Sequence, residues 1–227
     1  MILRITFFFT FVLVSAFSPS MIGNEPRQPD HAPFATELDN PCPSATLARS
    51  SETNPIVTQG AKVVVWAPAV AEVGYDWSGI PHEAISEESF ATPIILIDTA
   101  KVPAGQAIVK LKLEGLPRCA ERESEVAFRV VPTNLPPQRQ KSFIYGVAYD
   151  SKRNGLRGAE VTARMVDSQY NKLGKTDEGG RYLIEDLEDG KYNISISLAG
   201  FQADPRYGIA LNESRFWGNV SFIMSRE

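Results

Sequence analysis

The run KTDEGGRYLIEDLEDGKYNISISL at residues 175–198 constrains the fold more than any other part of the chain. Residues 177–180 are Asp, Glu, Gly and Gly, which favour turns, and Asp189-Gly190 is a strong tight-turn dipeptide. After it, apolar side chains occupy alternate positions, at Tyr192, Ile194, Ile196 and Leu198. This alternation is the period of a half-buried strand. The run therefore predicts two short strands bounded by turns.

Composition limits the class of protein. The chain has 227 residues, of which 43% are hydrophobic and 22% are charged, as in a soluble globular protein of one or two domains. Its formal net charge of -4 offers no basic surface, so nucleic acid is not an expected partner. Gly179-Gly180 lacks the Lys and Ser/Thr that complete a phosphate-binding loop. No cofactor is expected.

Residues 1–16 have the layout of a secretory signal peptide. Arg4 precedes an apolar run, and Val14-Ser15-Ala16 supplies small residues for cleavage. The run is shorter than the roughly 20 residues that span a bilayer, and no later stretch approaches that length. We therefore expect a secreted, periplasmic or cell-surface protein with no transmembrane span in the mature chain. A signal that is retained as a membrane anchor is the alternative.

Cys42 and Cys119 are the two cysteines of the chain. An even number of widely separated cysteines in an exported protein predicts one structural disulfide. A catalytic or metal-binding thiol pair is the alternative, but the close CxxC spacing and a nearby His are both missing.

Two segments without periodicity divide the chain. Residues 17–40 are rich in Pro, Asn, Asp and Glu, which indicates a flexible tether. Residues 132–141 are rich in Pro and predict an extended linker. Two domains follow, at residues 41–131 and 142–227.

The block at residues 41–131 contains short alternating strands. Side chains that share a face are Val63, Val65 and Ala67; Tyr75 and Trp77; Ile95 and Ile97; Val109, Leu111 and Leu113; and Val126, Phe128 and Val130. Such strands, separated by turns, predict a β-sandwich. The YDWS sequence around Trp77 and the run IDTAKVPAGQAIVKLKL resemble the Ig-like/PKD-like modules of bacterial envelope proteins. The resemblance implies that Trp77 fills the centre of the core.

The block at residues 142–227 has its own pattern. It begins IYGVAYDSKRNGLRGAEVTARMV and continues through a Thr-Asp-x-x-Gly turn and a Leu-x-x-Gly-x-Tyr segment to Gly200-Phe201. This pattern resembles the carboxypeptidase regulatory-like domain, a transthyretin-like (prealbumin-like), Cna B-related β-sandwich. The resemblance implies a noncatalytic module, because the zinc-peptidase domain that accompanies it in carboxypeptidases is missing here. The expected fold class is all-β, with two consecutive β-sandwich domains.

Residues for catalysis are scarce. The chain has two histidines, His31 and His82, and neither has the spacing of a zinc site or a partner for a Ser nucleophile. Carboxylates cluster at Glu83, Glu87 and Glu88, and again at Glu185, Asp186, Glu188 and Asp189. Both clusters lie in polar, turn-rich stretches, so solvated turns are the main interpretation and a metal or catalytic role is the alternative. We do not expect an enzyme or a metal site.

One row of side chains suggests an interaction surface. If Ile144, Gly146 and Ala148 face the core, then Tyr145, Val147 and Tyr149 lie on the opposite face of the same strand. Apolar rows on a solvent face often mark interfaces. The alternatives are that the linker or the other domain covers this row, or that the strand register differs by one.

The sequence thus predicts an exported, noncatalytic binding or structural module of the cell envelope or secreted fraction. Its expected partner is an envelope or extracellular protein. The alternative is a carbohydrate-binding accessory protein that binds polysaccharide, with Tyr145 and Tyr149 as an aromatic platform for sugars.

Overall fold

The computed structural model describes residues 42–48, 55–86, 92–116, 119, 123–133 and 140–227. The elements delimited in these ranges are strands and the 3-10 turns at His82–Ala84 and Thr99–Lys101. The predicted all-β class is confirmed. No helix among these residues has the length and apolarity needed to cross a membrane. The predicted signal peptide at residues 1–16 and tether at residues 17–40 lie outside the described residues.

Residues 42–133, the first half, form two sheets. The first outer sheet has the order β2-β7-β6-β4, with β2 at Ile56–Thr58, β4 at Gly74–Ser78, β6 at Gly105–Glu114 and β7 at Glu123–Val131. The first inner sheet has the order β1-β3-β5, with β1 at Thr46–Leu47, β3 at Lys62–Trp66 and β5 at Ile94–Asp98.

The core of the first half lies between these two sheets. Every alternating residue that the sequence places on a shared face contributes to it. Trp77 is buried there, and its indole Nε1 donates a hydrogen bond to the carbonyl of Thr92 over 2.8 Å. Trp77 thus belongs to the core, and its place at the centre of that core stays a prediction. The strand pattern fixed these positions because each strand has one face turned to this core.

Residues 140–227, the second half, also form two main sheets. The second inner sheet has the order β11-β8-β15, with β8 at Ser142–Tyr149, β11 at Arg181–Leu187, β15 at Trp217–Asn219, and β16 at Phe222–Ile223 paired with β8. The second outer sheet has the order β10-β9-β12-β14, with β9 at Glu160–Met165, β10 at Asn171–Lys175, β12 at Gly190–Ser197 and β14 at Arg206–Leu211. A small sheet pairs β13 at Phe201–Gln202 with β17 at Ser225–Arg226.

The run at residues 175–198 forms β11 and β12, as its pattern predicts. At its first turn, Asp177 Oδ1 accepts hydrogen bonds from the backbone amides of Gly179 and Arg181, both over 2.9 Å. Its second turn does not close a hairpin, because β11 and β12 belong to different sheets. Gly190 does not adopt the positive φ that a tight hairpin turn requires. Asp186 does, with φ of 54°, next to a register shift in β11.

Three strands are buried on both faces, which joins the two halves. In β3, β5 and β8, one face lines the core of its own half, and the other face lines a third core. The third core is formed by Val64, Trp66, Ala69, Ile94, Leu96, Phe143, Tyr145, Val147 and Tyr149. The four sheets therefore stack in the order first outer, first inner, second inner, second outer, with an apolar core in each gap.

Candidate functional site

The predicted disulfide is present. Cys42 and Cys119 are bonded, with their Cα atoms 5.8 Å apart. Cys119 is buried in the connection between β6 and β7, and Cys42 lies just before β1. The bond therefore fixes the short edge strand β1, which pairs with β3 through only two residues, to the opposite side of the first sandwich. A hydrogen bond from the amide of Ala45 to Ser124 Oγ, over 2.8 Å, supports the same attachment.

The row Tyr145, Val147 and Tyr149 is not an exposed surface. The three side chains are 1%, 1% and 8% exposed, and they lie in the third core against β3 and β5. The interpretation of this row as a free partner surface is corrected, because the first half of the same chain covers it. The predicted register is confirmed, since Ile144 and Ala148 face the core of the second half. A sugar platform at Tyr145 and Tyr149 loses its support for the same reason.

The absence of a side chain at Gly146 allows another segment of the second half to pack closely against β8. A Cβ atom there would clash with the carbonyl oxygen of Val220 and would lie 3.0 Å from the Tyr182 ring. The Tyr182 hydroxyl donates a hydrogen bond to that same Val220 carbonyl. The amide of Val220 in turn donates to the carbonyl of Tyr145 over 2.8 Å. The segment between β15 and β16 thus passes directly over Gly146, which only glycine permits.

Polar contacts seal the edges of the third core. The side chain of Gln140 accepts a hydrogen bond from the amide of Lys62 over 2.9 Å and donates one to its carbonyl over 3.1 Å. At the other edge, Ala69 donates its amide to the carbonyl of Gly179 and accepts from the amide of Gly155, both over 3.2 Å. These backbone polar groups at the edges of the interface are therefore satisfied across the two halves.

Two cations cross the interface to aromatic rings. Arg181 places its guanidinium carbon 5.1 Å from the centroid of Trp66, and its Nη2 is 2.6 Å from Asp177 Oδ2. Lys62 places Nζ 4.9 Å from the centroid of Trp217 and 2.7 Å from Asp98 Oδ2. A cation held over an indole face by a paired carboxylate is a favourable arrangement when it is partly desolvated.

Tyr75 supports the loop that meets the second half. Its hydroxyl donates to the carbonyl of Pro68 and accepts from the amide of Val70, both over 2.9 Å. Burial raises the pKa of the Tyr75 phenol from 10.0 to about 12, although the hydrogen bond from Val70 opposes the shift. The phenol is therefore held in its neutral form as a structural group.

The candidate catalytic residues do not converge in the described part of the chain. His82 and Glu83 are exposed at the first 3-10 turn, and Glu185, Asp186, Glu188 and Asp189 are exposed around the end of β11. His31, Glu87 and Glu88 lie outside the described residues. Among the described residues, no group of three His, Cys, Asp or Glu side chains could hold a metal ion.

The first half's contribution to the third core was not predicted. Val64, Trp66, Ile94 and Leu96 belong to the continuous apolar runs VVVW and IILI. Continuous apolar runs indicate strands that are buried on both faces. The run FIYGVAY in β8 carries the same signal, and together the three runs predict an additional layer.

No protein-family model and no curated protein matches this chain. A solved pilus 2b backbone protein of group B streptococcus is 10% identical, with 81% of this chain and 98% of that chain covered and a TM-score of 0.32. The major pilin subunit BcpA of Bacillus cereus is 13% identical, with 82% and 71% covered and a TM-score of 0.32.

A third solved structure is a type II cohesin-X-dockerin complex from Acetivibrio cellulolyticus, 16% identical, with a TM-score of 0.29. The match covers 37% of this chain and only 58% of the length of the solved chain. Similarities at these TM-scores carry no argument about function. The carboxypeptidase regulatory-like resemblance at residues 142–227 is not confirmed by a family model, and the Ig-like/PKD-like resemblance at residues 41–131 is unsupported. The β-sandwich class holds for both halves.

Proposed function

We propose that this chain is an exported, noncatalytic module of the cell envelope or secreted fraction, and that it acts as a rigid element in contacts with other proteins. In this proposal residues 1–16 direct export and residues 17–40 form a tether. Residues 41–131 and 142–227 are the two sandwich domains, joined by residues 132–141.

The third core is the observation that carries this proposal. Domains within one chain usually move relative to each other unless their interface is large and hydrophobic. Here the interface contains Trp66, Phe143, Tyr145 and Tyr149, all buried. Backbone hydrogen bonds at Ala69 and the side chain of Gln140 close its edges. The two sandwiches are therefore held as one body, which suits a structural element.

The disulfide and the tyrosines support the same role. The Cys42–Cys119 bond is the kind of crosslink that persists in oxidising compartments, which is consistent with export. The buried hydroxyls of Tyr75 and Tyr182 donate to backbone carbonyls, so they hold loops in place. The exposed carboxylates near the end of β11 are consistent with solvated turns.

Residual dipolar couplings test the rigid body directly. We expect backbone amides of both halves to fit one alignment tensor. Substitution of Trp66 by Ala removes a large part of the interface, and a variant that remains folded should then give two tensors. Two tensors in the unaltered protein would contradict the proposal.

Export is tested separately, on the native protein from its source cells. The mature chain should begin at or just after Phe17, as measured by intact mass spectrometry of extracellular and envelope fractions. An intact Met1 in a cytoplasmic pool contradicts export, whereas an intact Met1 in membranes supports the retained anchor.

A further inference from the structure

The two outermost faces of the stack differ in chemistry. On the first outer sheet, Lys110 Nζ lies 3.2 Å from Glu123 Oε2 and 3.2 Å from Glu125 Oε1, so one cation is shared by two carboxylates of the neighbouring strand. On the second outer sheet, the outward positions of the two central strands are mainly uncharged and polar. They are Thr162, Asn193, Ser195 and Ser197, with the charged residues Glu160, Arg164 and Lys191 toward the two ends.

A polar cleft of about 470 Å³ opens at one end of this second outer face. It lies at the connection from β9 to β10, where Asp167 adopts a positive φ of 58°. The polar side chains that line it are Arg164, Asp167, Ser168, Gln169 and Asn193. Ser168 Oγ accepts a hydrogen bond from the amide of Tyr170 over 3.0 Å, which fixes the shape of this connection.

The charged groups of the cleft are balanced and available. Neither Arg164 nor Asp167 forms an ion pair with another described residue. One guanidinium and one carboxylate leave the cleft without net charge. Together with Gln169 and Asn193 they supply both donors and acceptors on planar groups, which can bind adjacent hydroxyls in pairs.

The strand that adjoins the cleft carries an exposed aromatic residue. Asn193 Oδ1 accepts a hydrogen bond from the amide of Gly208 over 3.2 Å, so β14 is the strand that adjoins the cleft. Tyr207 precedes Gly208 and is 71% exposed, although most tyrosines of this half are buried. A Cβ atom added at Gly208 would meet no heavy atom within 4 Å, so the surface beside Tyr207 is open.

We propose that this cleft binds a neutral oligosaccharide and that Tyr207 stacks on a sugar ring beside it. Paired hydroxyls match the planar polar groups of Arg164, Asp167 and Gln169. The apolar face of a pyranose matches an exposed phenol ring. This site goes beyond the proposed structural role, and it lies on a different face from the buried row at Tyr145.

Other ligand classes fit this surface less well. An anionic ligand such as a phosphate would need an excess of positive charge in the cleft, but among the lining residues Asp167 balances Arg164, and the nearby cation Lys191 does not line it. A protein partner usually requires a buried apolar centre in a contact of about 800 Å² on each side. The outward face offers hydroxyl, amide and charged groups, with Leu173 and Tyr207 as its exposed large apolar or aromatic side chains.

Isothermal titration of the full chain tests the site, with cellohexaose, xylohexaose, mannohexaose and hexa-N-acetylchitohexaose as neutral probes. We expect at least one probe to bind. Tyr207→Ala and Arg164→Ala should each weaken that binding by about tenfold or more, the loss of about one stacked or charge-assisted contact. Both residues lie at the surface, so the melting temperatures of the two variants should stay close to that of the unaltered protein.

Ile56→Ala is the matched control, because Ile56 is also 71% exposed but lies on the first outer sheet. It should leave binding unchanged. The proposal is overturned if none of the four probes binds, or if the cleft variants and the control behave alike. Tighter binding of hexagalacturonic acid than of every neutral probe overturns it as well. The proposal is also overturned if sedimentation shows a dimer that dissociates in the Tyr207→Ala variant, because this face would then be a contact between two copies of the chain.

Discussion

The guanidinium carbon of Arg181 lies 5.1 Å from the centroid of the Trp66 ring, so a cation of the second half covers an indole of the first. The Arg181 side chain is only 15% exposed, and Asp177 pairs with it. A partly desolvated contact of this kind is worth about 1–2 kcal/mol. We therefore expect Arg181→Ala to lower the free energy of unfolding by about that amount, as measured by urea denaturation.

Arg157→Ala is the control for this measurement. Arg157 also forms an ion pair, with Glu178 over 2.9 Å, but both side chains are highly exposed. Such a pair contributes about 0–1 kcal/mol, so its loss should be small. Equal effects of the two substitutions would contradict a structural role for the Arg181–Trp66 contact.

The double substitution Tyr145→Ala with Tyr149→Ala tests the third core. Truncation of a buried aromatic residue costs about 3–5 kcal/mol, so the pair should lower the melting temperature strongly or prevent folding. Tyr207→Ala removes the same kind of side chain from an exposed position and should have little effect. A double variant with an unchanged thermal melt would show that the two rings are not buried in solution.

The disulfide should contribute substantially to stability. Its two cysteines are 77 residues apart, and closing a loop of that size stabilises a fold by about 4 kcal/mol in the chain-entropy model. We expect the double variant Cys42→Ser with Cys119→Ser to lose most of this stabilisation. The melting temperature of the double variant should then be insensitive to dithiothreitol. Two free thiols in the unfolded, unreduced protein would refute the bond.

Alkaline pH should destabilise the fold through Tyr75. The pKa of its phenol is about 12 in the folded state, compared with the ordinary value of 10.0 that we take for the unfolded chain. The folded protein therefore holds this proton more tightly. The associated stability is present below pH 10 and is lost as pH rises through about 12. Burial also raises the pKa values of Tyr182 and Tyr192, which adds to the same loss.

Tyr75→Phe separates the Tyr75 contribution from the others. The variant should be less stable at pH 7 by about 1 kcal/mol, because the hydrogen bonds with Pro68 and Val70 are lost. Its stability should then fall less steeply between pH 10 and 12 than that of the unaltered protein. The free energy of unfolding is measured by urea denaturation at each pH. If it falls equally steeply with pH in the variant and in the unaltered protein, Tyr75 does not titrate in this range.

Cleavage within residues 132–141 tests the proposed domain division. Each half has its own core, so both fragments should remain soluble and all-β by circular dichroism. Each fragment also exposes one side of the third core, and we therefore expect the two to bind each other in native mass spectrometry. A fragment that is unfolded alone would contradict the division.

Strand positions and the two separate cores were predictable, because alternation identifies the inward face of each strand. Val109, Leu111 and Leu113 are buried as their spacing indicates. The contact between the halves was not predictable from alternation, since β3, β5 and β8 have no polar face to alternate with. The cleft was not predictable either, because Arg164 and Asn193 are brought together by strand pairing across nearly thirty residues of sequence.

The position of β8 between two cores changes what determines its alignment. In an ordinary strand, a slip of one residue turns apolar side chains toward water, and solvation opposes the slip. In β8 both faces are buried, so a slip of one residue would not expose apolar side chains. It would instead move the bulky side chain of Tyr145 to the position of Gly146, where the Val220 carbonyl leaves no space for a side chain. Molecular volume, and not polarity, therefore sets the register of this strand.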